Sequence, residues 1–473
     1  MINIGIGLSW AAEKVFSAAT SIINAFKTRV LAIPAVFENG SFLNLELNWL
    51  NKINLLDNAS LILTPNSYIA NKIYSVIPNT TLGDFDSTRA TIATRVNSSG
   101  LIENVLTGIP RIDYTDGDGS LLLEPQRTNL NTYSSTFTDA SWNKVSITPV
   151  LNSTILSPNG TTDSYKISRA STSVNGYIGK TSTSTSNTIF TATVYAKLGD
   201  VSTNIGLRLQ GSYPNRGDAS FNLQTGTLIG VANGGTNADT SATIQSVGDG
   251  WYRCSVTTTF ATSITNPTTL LSPTSLTSIG GFEAPDGALS NCYVWGAQLE
   301  VGSYVTSYIP TTTSTVTRVA DTMSRNNIYT NGLITSAGGT WFLELNNNVL
   351  LVRDGFSYGI FINSSNIANG NGFNIRHSTT NLLERLRINK TTLGTDTALY
   401  TTLTNNIKVA IKWNETTADV FVNGIKVVSA TAFTTTNMEF LNGTAQEVPK
   451  YIKSMMLFPT PLTDAECISL TTL

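Results

Sequence analysis

Glycosidic bonds are cut by paired carboxylates, and one strand can present such a pair because residues i, i+2 and i+4 face the same side. In retaining enzymes the two groups stand roughly 5–5.5 Å apart. Glu344, in Trp341-Phe342-Leu343-Glu344-Leu345, is the best local candidate, but Asn346 and Asn348 occupy the positions that would complete the pair. Amides cannot serve as nucleophile or acid, so hydrolysis from a single strand is not expected; carboxylates drawn from separate strands are the alternative. His377 is the single histidine, which removes His-rich metal sites and leaves any Ser-His-Asp enzyme resting on one residue. Asp116-Gly117-Asp118-Gly119 superficially suggests a calcium loop. Counted from Asp113, however, position 5 is Gly117 and position 6 is Asp118, where an EF-hand needs an oxygen ligand and then glycine. A tight turn is expected there. Neither Gly5-Ile6-Gly7 nor Gly370-Asn371-Gly372 continues into a phosphate-binding loop. Cys254, Cys292 and Cys467 are too few and too scattered for a zinc cage or a disulfide framework. Cys254 and Cys292 could pair; buried free thiols are the simpler reading. The chain is expected to have no catalytic residue, no metal and no cofactor, and not to be an enzyme.

Binding makes different demands. A sugar is held by an aromatic face and by amide or hydroxyl groups around its rim. Trp251, Trp295, Trp341 and Trp413 lie in alternating apolar runs and read as core. Tyr177, Tyr213 and Tyr358 stand beside Gly, Pro or Asn turns and are better ligand candidates. The Asn- and Gly-rich stretch from Ile362 to His377 reads as a polar loop whose Asn371, Asn374, Arg376 and His377 suit a glycan. Arg95 and Arg127 stand out in a chain short of charge. At least one of them is expected to pair with a carboxylate, Glu124 or Asp113 being nearest in sequence.

The elements that must position these groups follow from composition and periodicity. The 473 residues carry 29 Lys and Arg against 31 Asp and Glu, a net charge of −2. That balance argues against a nucleic-acid partner, which demands clustered positive charge. Charged residues make up 13% and hydrophobic residues 41%, so Ser, Thr and Asn must build the surface while the cores are large enough to fold. No run is long and apolar enough for a membrane span, and the N-terminus lacks the basic start of a secretory signal. Leu8, Ala12, Val15, Ala19, Ile22, Phe26 and Val30 recur at spacings of three and four, which predicts a helix over residues 8–31. Its Leu8, Val15, Ile22 and Phe26 are candidates for an assembly face. Beyond residue 42 the period changes to two, and short apolar runs alternate with Gly, Asn, Asp and Pro turns. The fold class expected is mainly β: two jelly-roll or β-sandwich domains in series after an N-terminal helical anchoring segment. Asn423-Gly424 is the strongest hairpin signal, and Thr463 with Glu466 a helix-capping pair.

Several runs resemble a known group. Leu121-Leu122-Leu123-Glu124-Pro125-Gln126-Arg127-Thr128-Asn129-Leu130 is similar to a signature of phage virion structural proteins. So are Arg89 to Asn97, Gly250-Trp251-Tyr252-Arg253-Cys254, Trp295 to Glu300 and Thr306 to Thr311. The resemblance spans about residues 60–325, and the C-terminal part more loosely resembles concanavalin A-like lectin/glucanase sandwiches. Glucanases of that type carry a Glu-x-Asp-x-x-Glu or Glu-x-Asp-x-Glu strand, which this chain lacks at Glu344. The resemblance implies a spike, tail-fibre or head-fibre protein of the virion. Such a protein is often trimeric, is mounted on a capsid vertex or tail protein, and meets a host-surface glycan through carbohydrate-binding modules. The organisation expected is an anchor over 1–58, a β-rich connector over 59–120 and a carbohydrate-binding-module-like sandwich over 121–308. A Thr-rich linker over 309–337 and a lectin-like sandwich over 338–473 complete it. A glycan depolymerase and a non-binding decoration protein are the alternatives.

Overall fold

The computed structural model describes residues 36–37, 53–56, 58–65, 67–78, 80–201, 203–236, 239–277, 279–346, 360–364, 372–377, 384–388, 396–398, 406–432, 437–444 and 450–472. The assembly-helix residues Leu8, Val15, Ile22 and Phe26 lie outside them, as do Tyr358 and Asn371. The protein is mainly β, built of antiparallel sheets, and divides into two compact units. One comprises residues 1–90, 105–125 and 320–473; the other comprises 91–104 and 126–319.

The second unit is a sandwich of two six-stranded sheets. The first sheet runs Asn143–Val145, Tyr177–Thr181, Thr268–Thr274, Asn204–Gln210, Arg216–Asn222, Thr227–Gly234. The other runs Ile147–Leu151, Tyr165–Arg169, Asn291–Val301, Asn187–Leu198, Trp251–Ile264, Asp239–Ser246. Alternation decides the faces. Along Asn187–Leu198, Phe190, Ala192, Val194 and Ala196 point into the core between the sheets. Tyr195 points the other way, where it meets Trp295 at 5.3 Å and Tyr308 at 6.2 Å between ring centroids. With Trp251 and Ile102 these rings form a second buried cluster, so the strand is covered on both faces. Cys254 and Cys292 are buried here as free thiols.

The first unit pairs a ten-stranded sheet with an eight-stranded one. Gly339–Asn346 is central to the latter, flanked by Asn406–Trp413 and Lys450–Phe458. Its Trp341, Leu343 and Leu345 face the shared core, while Phe342 faces a smaller cluster with Met456, Phe458, Cys467 and Leu470. The last two belong to the helix Asp464–Thr471, which carries the capping box of Thr463 and Glu466. Trp341 and Trp413, like Trp251 and Trp295, are core residues. At Asn423-Gly424, both at positive φ, the chain reverses between Thr417–Val422 and Ile425–Ala432, as an Asn-Gly turn requires.

The serial division of the chain is corrected in three places. Residues 59–120 are no connector: Leu61–Leu63 pairs with Lys450–Phe458, and Phe85–Thr88 pairs with Thr322–Asn326. Nor do residues 309–337 form a linker. Val316–Arg318 pairs with Arg127–Asn129 in one unit, and Thr322–Asn326 joins the ten-stranded sheet of the other. Finally, residues 338–473 do not form a sandwich by themselves, because Ser120–Leu123 lies beside Lys450–Phe458 in the eight-stranded sheet. Periodicity marks a strand but is blind to a partner far away in sequence.

Candidate functional site

Several polar residues in and beside the runs singled out in the sequence are engaged inside the fold. Arg111 donates to Glu124 at 2.7 Å and to Asp321, and Asp321 also accepts from Arg89 at 3.0 Å. Burial alone would lower the Arg111 pKa; the charges of Asp321 and Glu124 outweigh it and hold the guanidinium firmly protonated. Asn129 donates to the Ile309 carbonyl at 2.8 Å, Gln298 accepts from the Ile309 amide at 2.6 Å, and Glu300 accepts from the Thr306 amide at 3.2 Å. Of the two arginines singled out in the sequence, Arg95 pairs with the Glu103 carboxylate at 2.8 Å, the kind of pairing expected of at least one of them. Glu124 is engaged by Arg111, and Asp113 accepts from the Thr115 amide at 3.0 Å.

The outer face of the first six-stranded sheet is the place where a sandwich can offer a broad polar surface, and here it is largely covered. The segment after Thr268–Thr274 folds back over it, burying Phe282 against Gly206, where a Cβ would stand only 2.0 Å from the ring. Arg169 ties this strap down through the carbonyls of Phe282 at 2.6 Å and Ala284 at 2.9 Å. Arg208 forks onto Asp218 at 2.5 and 2.9 Å and onto Glu283 at 2.9 and 3.1 Å. Burial pulls the Arg208 pKa down, and the two carboxylates raise it past that effect.

Two open surfaces among the described residues of this unit bring aromatic or charged groups together with polar ones. The first is the hairpin between Asn204–Gln210 and Arg216–Asn222, closed by Gly211 N–H donating to the Asn215 carbonyl at 3.0 Å. Tyr213 sits at its tip, 74% exposed, with the Arg216 guanidinium 5.5 Å from its ring centroid. Arg216 is held from behind by Asp218 at 3.2 Å, and Asn215 accepts from the Thr236 amide at 2.9 Å. The result is an aromatic plate edged by a cation, an amide and a hydroxyl, the grouping that a sugar ring and its rim require.

The second is a groove of about 660 Å³. Arg127 and Thr128 supply one wall, Thr183, Ser184 and Thr185 another, with half-buried Leu130 and Val301 beneath. Arg127 lies over the Tyr304 ring at 4.6 Å and donates to its hydroxyl at 2.5 Å. Gly302, at φ +131, lets the guanidinium settle there: a Cβ would stand 3.0 Å from its nitrogen. The Ser184 hydroxyl is buried without a hydrogen-bond partner.

The sequence candidates are not gathered into one site. Tyr177 begins a strand of the same sheet as the Tyr213 hairpin and is half-buried. Asn374, Arg376 and His377 belong to the other unit, on the strand Gly372–His377, where His377 stands opposite Glu384 in register. The stretch expected as a polar loop is in part a hairpin, with Ile360–Asn363 paired to Gly372–His377 and Ile362 and Phe373 buried in the core. Glu344 has Lys408 and Ser454 as its cross-strand neighbours and accepts from the Ser454 hydroxyl at 2.9 Å. Among the described residues, no cluster of three His, Cys, Asp or Glu could hold a metal ion. None of their helices is long and apolar enough to cross a membrane. Sequence reasoning passed over Arg216 and the Arg127 groove. The one available signal for the former was its place two residues after Tyr213-Pro214.

No family model matches the chain, and no curated protein matches it. Among solved structures, it is similar to the CBM40 module of the Ruminococcus gnavus IT-sialidase bound to alpha2,3 sialyllactose. That match has 15% identity and a TM-score of 0.23 over 28% of this chain and 83% of that one. It is also similar to the Trypanosoma rangeli sialidase in complex with 2,3-difluorosialic acid, at 7% identity and a TM-score of 0.26 over 56% of this chain and 51% of that one. The same sialidase in complex with sialic acid gives 8% identity and a TM-score of 0.24 over 65% of this chain and 60% of that one. The chain thus spans about half to three fifths of the sialidase and most of the CBM40 module.

Proposed function

We propose that the chain is a phage virion spike or fibre protein. In this reading it is mounted on the particle through residues 1–58, forms a homotrimer and attaches to host-surface glycans without hydrolysing them. The phage-like runs support the virion reading. The observation that carries glycan attachment is the Tyr213 plate, exposed at 74% and edged by Arg216, Asn215 and Thr236. Contact with the host is thereby moved from the stretch 362–377 to a hairpin of the other unit. Glu344, flanked by Lys408 and Ser454 instead of a second carboxylate, favours binding over cleavage. Three copies of a weak site would give useful avidity.

A glycan array probed with the full chain tests the binding reading. Tyr213→Ala is expected to lower binding about tenfold, the worth of one aromatic face, with an unchanged melting temperature. Equal binding by this variant would overturn the site, and release of reducing sugar from host polysaccharide would overturn the non-enzymatic reading. Antibody against the chain should decorate purified particles in electron micrographs; undecorated particles would overturn the virion assignment.

A further inference from the structure

The groove beside Arg127 differs in chemistry from the Tyr213 plate. Arg127 is the only charged residue lining it. Around that charge stand the exposed Thr183 and Thr185, with Leu130 and Val301 as an apolar floor. Its volume of about 660 Å³ is of the size that holds a small ligand. The guanidinium is held in place before any ligand arrives: Tyr304 lies under it at 4.6 Å and Gly302 leaves room for it. Nη1 of Arg127 also donates to the Gln126 carbonyl at 3.0 Å; a guanidinium fixed in this way can add a charge-assisted hydrogen bond to a carboxylate oxygen, and prior ordering reduces the entropy lost on binding. The hydroxyls suit the other hydroxyls of a sugar, and the floor suits the C–H face of its ring.

We propose that this groove binds a carboxylate-bearing sugar, with Arg127 as the anchor of the carboxylate. The inference rests on the glycan-binding reading and adds to it a second site with a preference for acidic residues.

The probe is a galacturonic acid tetrasaccharide, with its methyl ester as the uncharged counterpart, titrated onto the full chain by calorimetry. The acid is expected to bind at least tenfold more tightly than the ester. Arg127→Gln should remove that preference, and Arg127→Lys should restore only part of it, because one ammonium cannot keep the bonds to Gln126 and Tyr304 and also meet the carboxylate. Since Arg127 also packs on Tyr304, a second variant, Thr185→Trp, fills the groove from an exposed position. It should abolish acid binding at an unchanged melting temperature. Equal affinity for acid and ester, or full acid affinity in either Arg127→Gln or Thr185→Trp, would overturn the proposal. Were neutral glycans still captured through Tyr213, the failure would be confined to this groove. Were no saccharide of any kind captured by the chain, the broader reading would fall with it.

Discussion

Replacing Arg111 with Met should destabilise the unit formed by residues 1–90, 105–125 and 320–473 more than almost any other single exchange. The side chain of Arg111 is fully buried, between Glu124 and Asp321. Arg89 is buried on the other side of Asp321, so two positive and two negative charges balance within this group. Met fills a similar volume but leaves two buried carboxylates opposite one arginine. Breaking a buried ion pair in this way costs about 3–5 kcal/mol, or roughly 6–20 °C in melting temperature for a unit of this size. The double variant Arg111→Met, Glu124→Leu restores the balance of charge and should be more stable than the single variant. Hydrogen exchange read by mass spectrometry separates the units. Protection should fall in Lys450–Phe458 of the affected unit and persist in Asn187–Leu198 of the other. A single variant melting within about 2 °C of the parent, or a double variant no better than the single one, would refute this reasoning.

The strap over the outer sheet face should loosen in acid. Burial pushes the Asp286 carboxyl up, but the Ser290 hydroxyl, the amides of Ser275 and Ala288 and the charge of Arg169 bring it below its ordinary value. A depressed carboxyl stabilises the fold above its unfolded pKa of about 4 and loses that contribution as pH falls through the folded value. Peptides over residues 275–290 should therefore gain proteolytic sensitivity below about pH 4; in Asp286→Asn they should be sensitive already at pH 7. Burial raises the thiol pKa of Cys254 and Cys292 and pushes Cys467 up to about 12. Iodoacetamide at pH 8 should leave the native chain unmodified and alkylate every cysteine in denaturant. Changing Ile22 and Phe26 to Asp should abolish trimers in analytical ultracentrifugation, and particle incorporation with them, while both β units keep their exchange protection.

Features written in adjacent residues were legible in advance. Asn423-Gly424 closes its hairpin with both residues at positive φ. Thr463 and Glu466 cap their helix reciprocally, and the alternating tryptophans are buried. Features written in distant residues were not. Arg127 meets Tyr304 across 177 positions, and Arg111 meets Asp321 across 210; neither partner carries a local mark. The Asn- and Gly-rich composition of residues 362–377 concealed Phe373, which pairs opposite Ile362 in the core. Of the binding candidates, Tyr213 was readable because proline and asparagine follow it directly. The groove has walls from three separate stretches of chain and left no pattern along any one of them.

The pairing of Leu61–Leu63 with Lys450–Phe458 sets an order in time. The Ser60 hydroxyl donates to the Leu457 carbonyl at 3.1 Å across 397 residues of chain, and Leu61–Leu63 waits for the same strand. At ~5–20 residues per second, a ribosome needs roughly 20–80 s to deliver that partner. The sandwich over residues 126–319 has all its strands well before then. It should fold while the chain is still being made, whereas Leu61–Leu63 and Ser120–Leu123 lack their partner strand Lys450–Phe458 until synthesis is nearly over. Sheets assembled from such distant pieces form slowly, and their open edges are prone to join the wrong neighbour in the meantime. Premature termination between residues 320 and 450 would therefore yield a well-formed sandwich over 126–319 carrying a sticky, unfinished remainder. Yield in recombinant expression should depend more on slow, cool synthesis than on any improvement to the core.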